Sequence, residues 1–427
     1  MASGFSAFQH PGLLRFAIGR FAAAVGTTAV SVAIGFQLYE RTHSAFALGL
    51  VGLVELIPVL VLALPAGAAA DRFRRRNIAA MAHVVLALCS LAFALLTVFE
   101  GPVSAYYAVL FVIGIAVAFR QPSVGSMVPQ LVPPKDFANA NALISSSYEL
   151  ASMSGPALAG LLIAINHGSS TWAFGAAAAS HLLFVGILLS LPSVAPVMSK
   201  SVARKLSDYF AGLRFVMNAK VFLAAITLDL FAVLLGGAVA LLPIFAKDIL
   251  NVGPAGLGWL RAAPAIGALG MALLQTRLPP WKRPGKALLI AVVGFGLSTM
   301  TFGLSKSFAL SFMMLLMSGV FDNVSVVIRA TLEQSLTPDV MRGRVSAINY
   351  VFIGLSNELG SFESGTTADL FGAVPSVVAG SIGTLLVVVF VFFKWPELLT
   401  VEPLNTLRAL PEPVEAQAAV QEIKDQV

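Results

Sequence analysis

LVELIPVLVLALPAGAAADRFRRRNIAAMAHVVLALCSLAFALLTV, residues 53–98, sets two apolar runs on either side of one short basic turn, Asp71-Arg72-Phe73-Arg74-Arg75-Arg76. A helix needs about 20 mostly apolar residues to cross the hydrocarbon core of a bilayer, and the two runs have that length. The pair reads as a transmembrane helical hairpin with its turn in water. Membrane barrels alternate apolar and polar residues along short strands, and these runs are long and continuous instead.

The rest of the chain repeats this pattern. Of 427 residues 58% are hydrophobic and 11% charged, with a mean hydropathy of +0.87. A soluble domain carries about 25% charged residues, so the composition excludes one. Spans are expected at 15–39, 45–70, 78–99, 104–128, 140–165 and 171–191, and again at 220–246, 255–278, 286–304, 308–332, 342–368 and 372–394. The expected fold is therefore an all-α polytopic membrane protein of 12 transmembrane helices in two pseudo-symmetric six-helix bundles. The expected divisions are a leader (1–14), an N-terminal bundle (15–191), a linker (192–219), a C-terminal bundle (220–394) and a tail (395–427) that includes Pro411-Glu-Pro413 and is expected to be mobile.

The net charge of +6 does not gather into one patch for nucleic acid; the basic residues lie in short clusters between apolar runs. Arg72, Arg74, Arg75, Arg76, Lys135, Lys200, Arg204, Lys205, Arg214, Lys220, Arg277, Lys282, Arg283, Lys286, Arg342, Arg344 and Lys394 fall on one side. Only Arg41, Lys247 and Lys306 fall on the other. The positive-inside rule then places both termini in the cytoplasm. Met1 to Gly12 has no basic leader region or cleavage site, so it reads as a retained segment rather than a signal peptide. The single cysteine, Cys89, lies in an apolar run and excludes a disulfide framework.

An internal repeat divides the chain. Gln130-Leu-Val-Pro-Pro134 precedes a helix with Gly155 and Gly160; Gln334-Ser-Leu-Thr-Pro338 precedes one with Gly360 and Gly365. Arg120 and Arg329 lead into the two copies, at an offset of about 204–209 residues throughout. Six spans per copy give both copies the same orientation. Parallel repeats of this kind place a substrate site between the halves near the bilayer midplane.

Ionisable groups inside a bilayer are costly, and each needs a reason. They fall at Arg20, Glu55, Arg120 and Glu149 in the first half, and at Asp229, Arg261, Asp322, Arg329, Glu358 and Glu363 in the second. Spans 3, 6, 9 and 12 have none away from their ends, as expected if those four face lipid and the other eight line a hydrated path. Glu55, Asp229, Asp322 and Glu358 lie nearest mid-span and are the candidate proton-coupling or substrate-cavity acids. The alternative role for each is a static ion pair. Arg20, Asn323, Arg261 and Arg329 are the further cavity candidates. Asp322 and Arg329, at i and i+7, share a helix face and could neutralise each other. Arg120 and Arg329 could instead snorkel to the interface.

Gly67-Ala-Ala-Ala-Asp71-Arg72-Phe-Arg74-Arg75-Arg76 resembles the signature loop of the major facilitator superfamily, Gly-x-x-x-Asp-Arg/Lys-x-Gly-Arg-Arg/Lys, with Arg74 at the second glycine position. Leu64-Pro65-Ala-Gly67, Gln121-Pro122, Gly155-Pro156, Leu242-Pro243 and Arg342-Gly-Arg344-Val extend the likeness across most of the chain, toward the branch of enterobactin and multidrug exporters. Ala151-Ser-Met-Ser-Gly155-Pro156-Ala-Leu-Ala-Gly160 is similar to the antiporter motif Gly-x-x-x-Gly-Pro-x-x-Gly-Gly, with Ala151 and Ala159 replacing two glycines. Pro156 lacks a backbone donor and is expected to kink its helix.

The resemblance implies a secondary transporter with alternating access, peripheral helices 3, 6, 9 and 12, and a cytoplasmic gate at Gly67, Asp71, Arg72, Arg75 and Arg76. The expected activity is proton-coupled export of a siderophore or amphipathic drug-like molecule from a bacterial-type cytoplasmic (inner) membrane, by a monomer. Uptake of a nutrient or lysolipid, or a non-transporting scaffold or enzyme, are the alternatives. No phosphate-binding Gly-Lys-Ser/Thr loop or metal-ligand cluster occurs, so the expected cofactors are none and the energy source is the proton gradient. His83 and His181, in the chargeless spans, read as packing residues.

Overall fold

The computed structural model describes residues 9–192, 213–279, 281–338, 341–404 and 406. Lys200, Arg204 and Lys205, most of the linker and leader, and nearly all of the tail beyond Leu404 lie outside these. The first half contains α1 (Pro11–Thr42), α2 (Ala45–Arg72), α3 (Arg75–Val98), α4 (Val103–Gly125), α5 (Phe137–Ile165) and α6 (Thr171–Ser190). The second contains α7 (Lys220–Leu235), α8 (Gly253–Gln275), α9 (Pro284–Leu304), α10 (Phe308–Leu336), α11 (Arg342–Phe371) and α12 (Ala373–Lys394). Eleven of the twelve expected spans include a helix long and apolar enough to cross a membrane. The exception is α11, whose composition is diluted by Arg342, Arg344, Glu358, Glu363 and Asp369. Its place in the bundle is fixed by its neighbours, α2 and α7.

One expected span is not a single helix. The 220–246 segment breaks after Leu235 at Gly236-Gly237 and continues as short 3-10, α and π turns (Ala238–Leu241, Leu242–Ile244, Phe245–Ile249). Gly237 packs so tightly on α11 that a Cβ would lie 2.4 Å from Ser364 Oγ and 2.7 Å from the Gly360 carbonyl. Two glycines in sequence lower helix propensity by about 1 kcal/mol each relative to alanine, and tertiary packing takes over there. By contrast α5 runs unbroken through Gly155-Pro156.

Each half uses the same scheme. In the first, α1 packs on α5 and α6, α3 on α6 and α4, and α2 on α4; in the second, α7 packs on α11 and α12, α9 on α12 and α10, and α8 on α10. The halves join mainly through α2 with α11 and α5 with α8, a pseudo-twofold exchange of equivalent helices. Helices α3, α6, α9 and α12 take no part in those main contacts and turn apolar stripes outward, such as Met81, Leu88 and Leu95 on α3 and Leu386, Phe390 and Phe393 on α12. In lipid such stripes cost nothing, and helices associate through close packing of small residues.

The repeated glycines supply that packing in register. Gly155 meets Val25 and Thr28 of α1, and its counterpart Gly360 meets Val233 and Leu234 of α7. Gly160 meets Pro254 and Gly258 of α8, and its counterpart Gly365 meets Ala45 and Gly49 of α2. In each copy the first glycine seats the helix on its own half, and the second seats it on the other half.

The apolar core shows how the halves are disposed. One cluster draws from both, with Ile34, Leu38, Leu48, Phe93 and Phe174 against Leu241, Phe245, Leu257, Leu260 and Phe302. It occupies the end where α1 finishes and α2 begins, here called the far end. At the opposite end, marked by the Arg72–Arg76 turn and called the basic end, the core divides into two clusters. One lies within the first half (Leu13, Phe16, Val128, Phe184) and the other within the second (Phe222, Leu228, Leu332, Val391). The halves are sealed at the far end and have separate cores at the basic end.

Candidate functional site

Three groups of polar residues occupy the interior. The first closes the far end. Tyr39, in the last turn of α1, donates its hydroxyl to Asp248, and Lys247 Nζ stands 2.8 Å from Glu40 Oε2, so consecutive residues of α1 and of the π turn after α7 are tied twice. Nearby, Asp369 at the end of α11 accepts from Ser44 Oγ (3.0 Å) and from the Phe46 backbone N–H (3.3 Å). Ser44 is the N-cap of α2 and accepts from Ala47 N at 3.2 Å. A carboxylate at the unpaired N–H groups of a helix start is favoured by both hydrogen bonding and the helix dipole. Here the carboxylate comes from the other half. A cavity of ≈ 300 Å³ lies beside these ties, lined by Glu40, His167, Pro243, Lys247 and Pro254.

Tyr39, Glu40, Lys247, Asp248 and Asp369 are not marked as site residues by their place in the spans, because each falls at a helix end where polar groups are expected. A signal existed nonetheless. Tyr39 with Asp248 and Glu40 with Lys247 sit at nearly the repeat offset, where a pseudo-twofold axis brings equivalent positions together, and the second pair has opposite charges.

The second group lies at mid-depth where α2 meets α11. The Glu358 carboxylate rests on Gly52, where a Cβ would lie 2.4 Å from Oε2. Glu55, one turn along the same face of α2, interacts electrostatically with Glu358. Arg120 of α4 acts on Glu55, and Arg261 of α8 acts on Glu358. Arg261 also spans the halves, donating to the Val239 carbonyl (3.1 Å) and to Ser31 Oγ of α1 (3.3 Å). The structure thus brings Glu55, Glu358 and Arg261 to the seam. Arg20, on α1, lies elsewhere: with Arg120 it acts electrostatically on His83. His83 and His181 are both buried, with their Nδ1 atoms 3.2 Å apart, so one ring donates to the other across α3 and α6.

The third group is inside the second half. Arg329 forms a buried ion pair with Asp229 of α7 and donates from Nε to Ser325 Oγ at 3.2 Å. Arg329 is 6% exposed and so does not snorkel, and its partner is Asp229 rather than Asp322 at i−7. The i, i+7 spacing placed both groups on one face of α10, but an acid on a neighbouring helix lies closer. In this state Asp229 is therefore engaged by Arg329. Asp322, half-buried, lines a void of ≈ 10 Å³ with Asp229, Phe295 and Ser325, at the lower limit for one water. Asn323 accepts from Gln275 Nε2 at 3.3 Å, joining α8 to α10. Glu333, also missed in the sequence, accepts from Ser346 and from Asn349 Nδ2 (2.6 Å) and ties α10 to α11.

At the basic end the signature turn serves its own half. Asp71 and Arg75 form an exposed i, i+4 pair at 3.8 Å. Arg75 Nη1 donates to the Ser126 carbonyl at 3.2 Å, and Arg76 Nη1 donates to the Leu191 carbonyl at 2.8 Å, so the arginines cap the exposed carbonyls after α4 and α6. Arg72 stacks on Phe73 at 5.9 Å. Gly67 has open space where a Cβ would go. The bonds described here for Asp71, Arg75 and Arg76 all lie within the first half, in keeping with the separate cores there. On the other half, Lys220 holds Glu397 at 2.8 Å, and that hydrogen bond keeps the Glu397 carboxyl below the usual carboxylate range.

Known proteins share this architecture. A bacterial homologue of the human lysosomal transporter Spinster, inward-facing and unoccupied, superposes with a TM-score of 0.70 at 15% identity, covering 91% of this chain and 96% of that one. The xylose transporter XylE from E. coli, inward open, gives 0.64 at 15% identity, covering 92% and 96%. Among curated sequences, the enterobactin exporter EntS of Shigella dysenteriae serotype 1 (strain Sd197) is 27% identical over 390 residues, 91% of this chain and 93% of that one. The EntS of Escherichia coli O1:K1 / APEC is 26% identical over the same shares. The family described as Transmembrane secretion effector matches residues 2–422. With its two six-helix halves and its signature turn, this chain belongs to that family of major facilitator superfamily transporters.

Proposed function

We propose that the protein is a proton-driven exporter of a siderophore or amphipathic drug-like molecule in a bacterial cytoplasmic membrane, working as a monomer with both termini in the cytoplasm. The observation that carries this reading is the placing of Glu55, Glu358 and Arg261 where the sealed far end gives way to the separated basic end. Ionisable groups at that boundary, drawn from both halves, are in position to sense a change of access from one side to the other. The distribution of lysine and arginine supports a cytoplasmic basic end, so this state would load from the cytoplasm. The exporter relatives support outward transport. The partial antiporter motif acts in the packing of α5 on α1 and α8, helices that must move relative to one another during the cycle.

The test is flux with the purified protein alone in liposomes under an imposed pH gradient, with enterobactin and a panel of amphipathic cations as cargo. Uphill movement that disappears with a protonophore is expected for at least one of them. Flux indifferent to the gradient would remove proton coupling, and a cell-growth requirement for an external solute would reverse the direction.

A further inference from the structure

The seam between α2 and α11 ends on acid. From the far end inward it runs through Gly49 with Gly365, where a Cβ on Gly365 would lie 2.6 Å from Gly49 Cα, and then through Gly52 with Glu358. Backbone meets backbone at the first contact, and backbone meets a carboxylate at the second. Glu55 follows one turn later on the same face. Neither Glu55 nor Glu358 makes a hydrogen bond or ion pair with the described residues. The surrounding charges are few: Arg120 of α4 acts on Glu55, and Arg261 of α8 acts on Glu358 while its guanidinium is held by Val239 and Ser31. Tyr148 of α5 acts on Arg261. On α11, Glu363 is engaged by Ser364, and on α7, Asp229 is engaged by Arg329.

We infer that Glu55 and Glu358 form one proton-binding site split between the halves, complete only while the far end is closed, and that its proton holds that end shut. This deepens the proton-driven reading and rests on it. Two ionised carboxylates on facing helices repel each other, so they are coupled and exchange their protons as one unit. When the far end opens, α2 and α11 part, each carboxylate meets water separately, and the pair no longer exists. A ligand that binds one conformation better shifts the equilibrium toward it, and here the ligand is a proton. Closure of the far end on a proton taken from outside, followed by its release through the basic end, carries one proton inward per cycle. Loss of that proton restores like-charge repulsion across the seam, which favours opening outward with cargo.

The test uses the full chain in nanodiscs, with Cys89→Ser and spin labels at Phe99 and Lys306, far-end positions on opposite halves. Distances are read by double electron–electron resonance between pH 5 and 9. In the parent, the short-distance population should grow as pH falls, by up to about tenfold per pH unit in the titrating window. Glu55→Gln and Glu358→Gln should each stay closed at every pH, and Glu358→Asp, which keeps an acid, should retain a pH-dependent shift with a moved midpoint. If both glutamine variants shift as the parent does, or Asp322→Asn alone removes the shift, the split site is wrong and proton coupling stands. If the parent shows no shift, the split site is wrong, and gradient-driven flux in liposomes separately decides proton coupling.

Discussion

Replacing Arg329 by methionine keeps the reach of the side chain and removes its charge, leaving Asp229 buried without a counter-ion. Breaking a buried pair on one side costs about 3–5 kcal/mol, whereas replacing both partners by apolar groups is often near neutral. Arg329→Met should therefore lower the thermal midpoint in detergent sharply, and Asp229→Leu added to it should recover most of the loss. A single variant as stable as the parent would show that the pair does not hold α7 to α10. The same scale separates the glycines. Gly365→Val would drive a side chain into Gly49 and Ala45, with an overpacking cost of about 1–3 kcal/mol that parting the halves relieves. Labels at the far end should then report more of the open form. Gly67→Ala meets open space and should leave the fold and this distribution as they are.

At the scale of elements, Asp369 caps a helix it does not belong to. Losing a cap costs about 0.5–2 kcal/mol, and this one can be lost only from the closed state, so Asp369→Ala should raise the far-open population roughly fivefold for about 1 kcal/mol. No change in the far-end distances would show that the contact is idle. Asp71→Asn, at the other end, removes only an exposed neighbour contact in this state. It should leave substrate affinity nearly intact while slowing turnover several-fold, as read in liposome flux against binding isotherms. The spans themselves were legible from hydropathy. Helix α11 is placed among those spans although its acids dilute its composition, and its repeat of α5 supports the placing. The break in α7 was not legible, because Gly236-Gly237 sits inside a continuous apolar run and only contact with α11 makes it a break. Residue pairings were least legible. Whether Arg329 meets Asp322 or Asp229 depends on how neighbouring helices are rotated, which spacing along one helix does not encode.

For the whole molecule, the sealed far end and divided basic end predict an asymmetric pattern of access. In a Cys89→Ser background, a cysteine at Tyr148, half exposed on α5 and within electrostatic reach of Arg261, should react with a membrane-impermeant maleimide applied from the cytoplasmic side. A cysteine at Leu38, fully buried within the far-end core, should be protected from both sides. Reaction of Tyr148→Cys only from outside would invert the orientation.

The two halves are copies in plan but unequal in stiffness. Helix α1 runs 32 residues without interruption to the turn that carries Tyr39 and Glu40. Its counterpart stops after 16, and the residues that answer Tyr39 and Glu40 ride on a broken extension of short turns. Amide protons in such turns lack the regular ladder that shields those of a long helix. Hydrogen–deuterium exchange should accordingly be faster over 236–249 than over 26–42, although both segments face the same seal. Breathing at the far end then belongs to one lip alone, so any molecule passing there would move by a yielding second half while the first keeps its place.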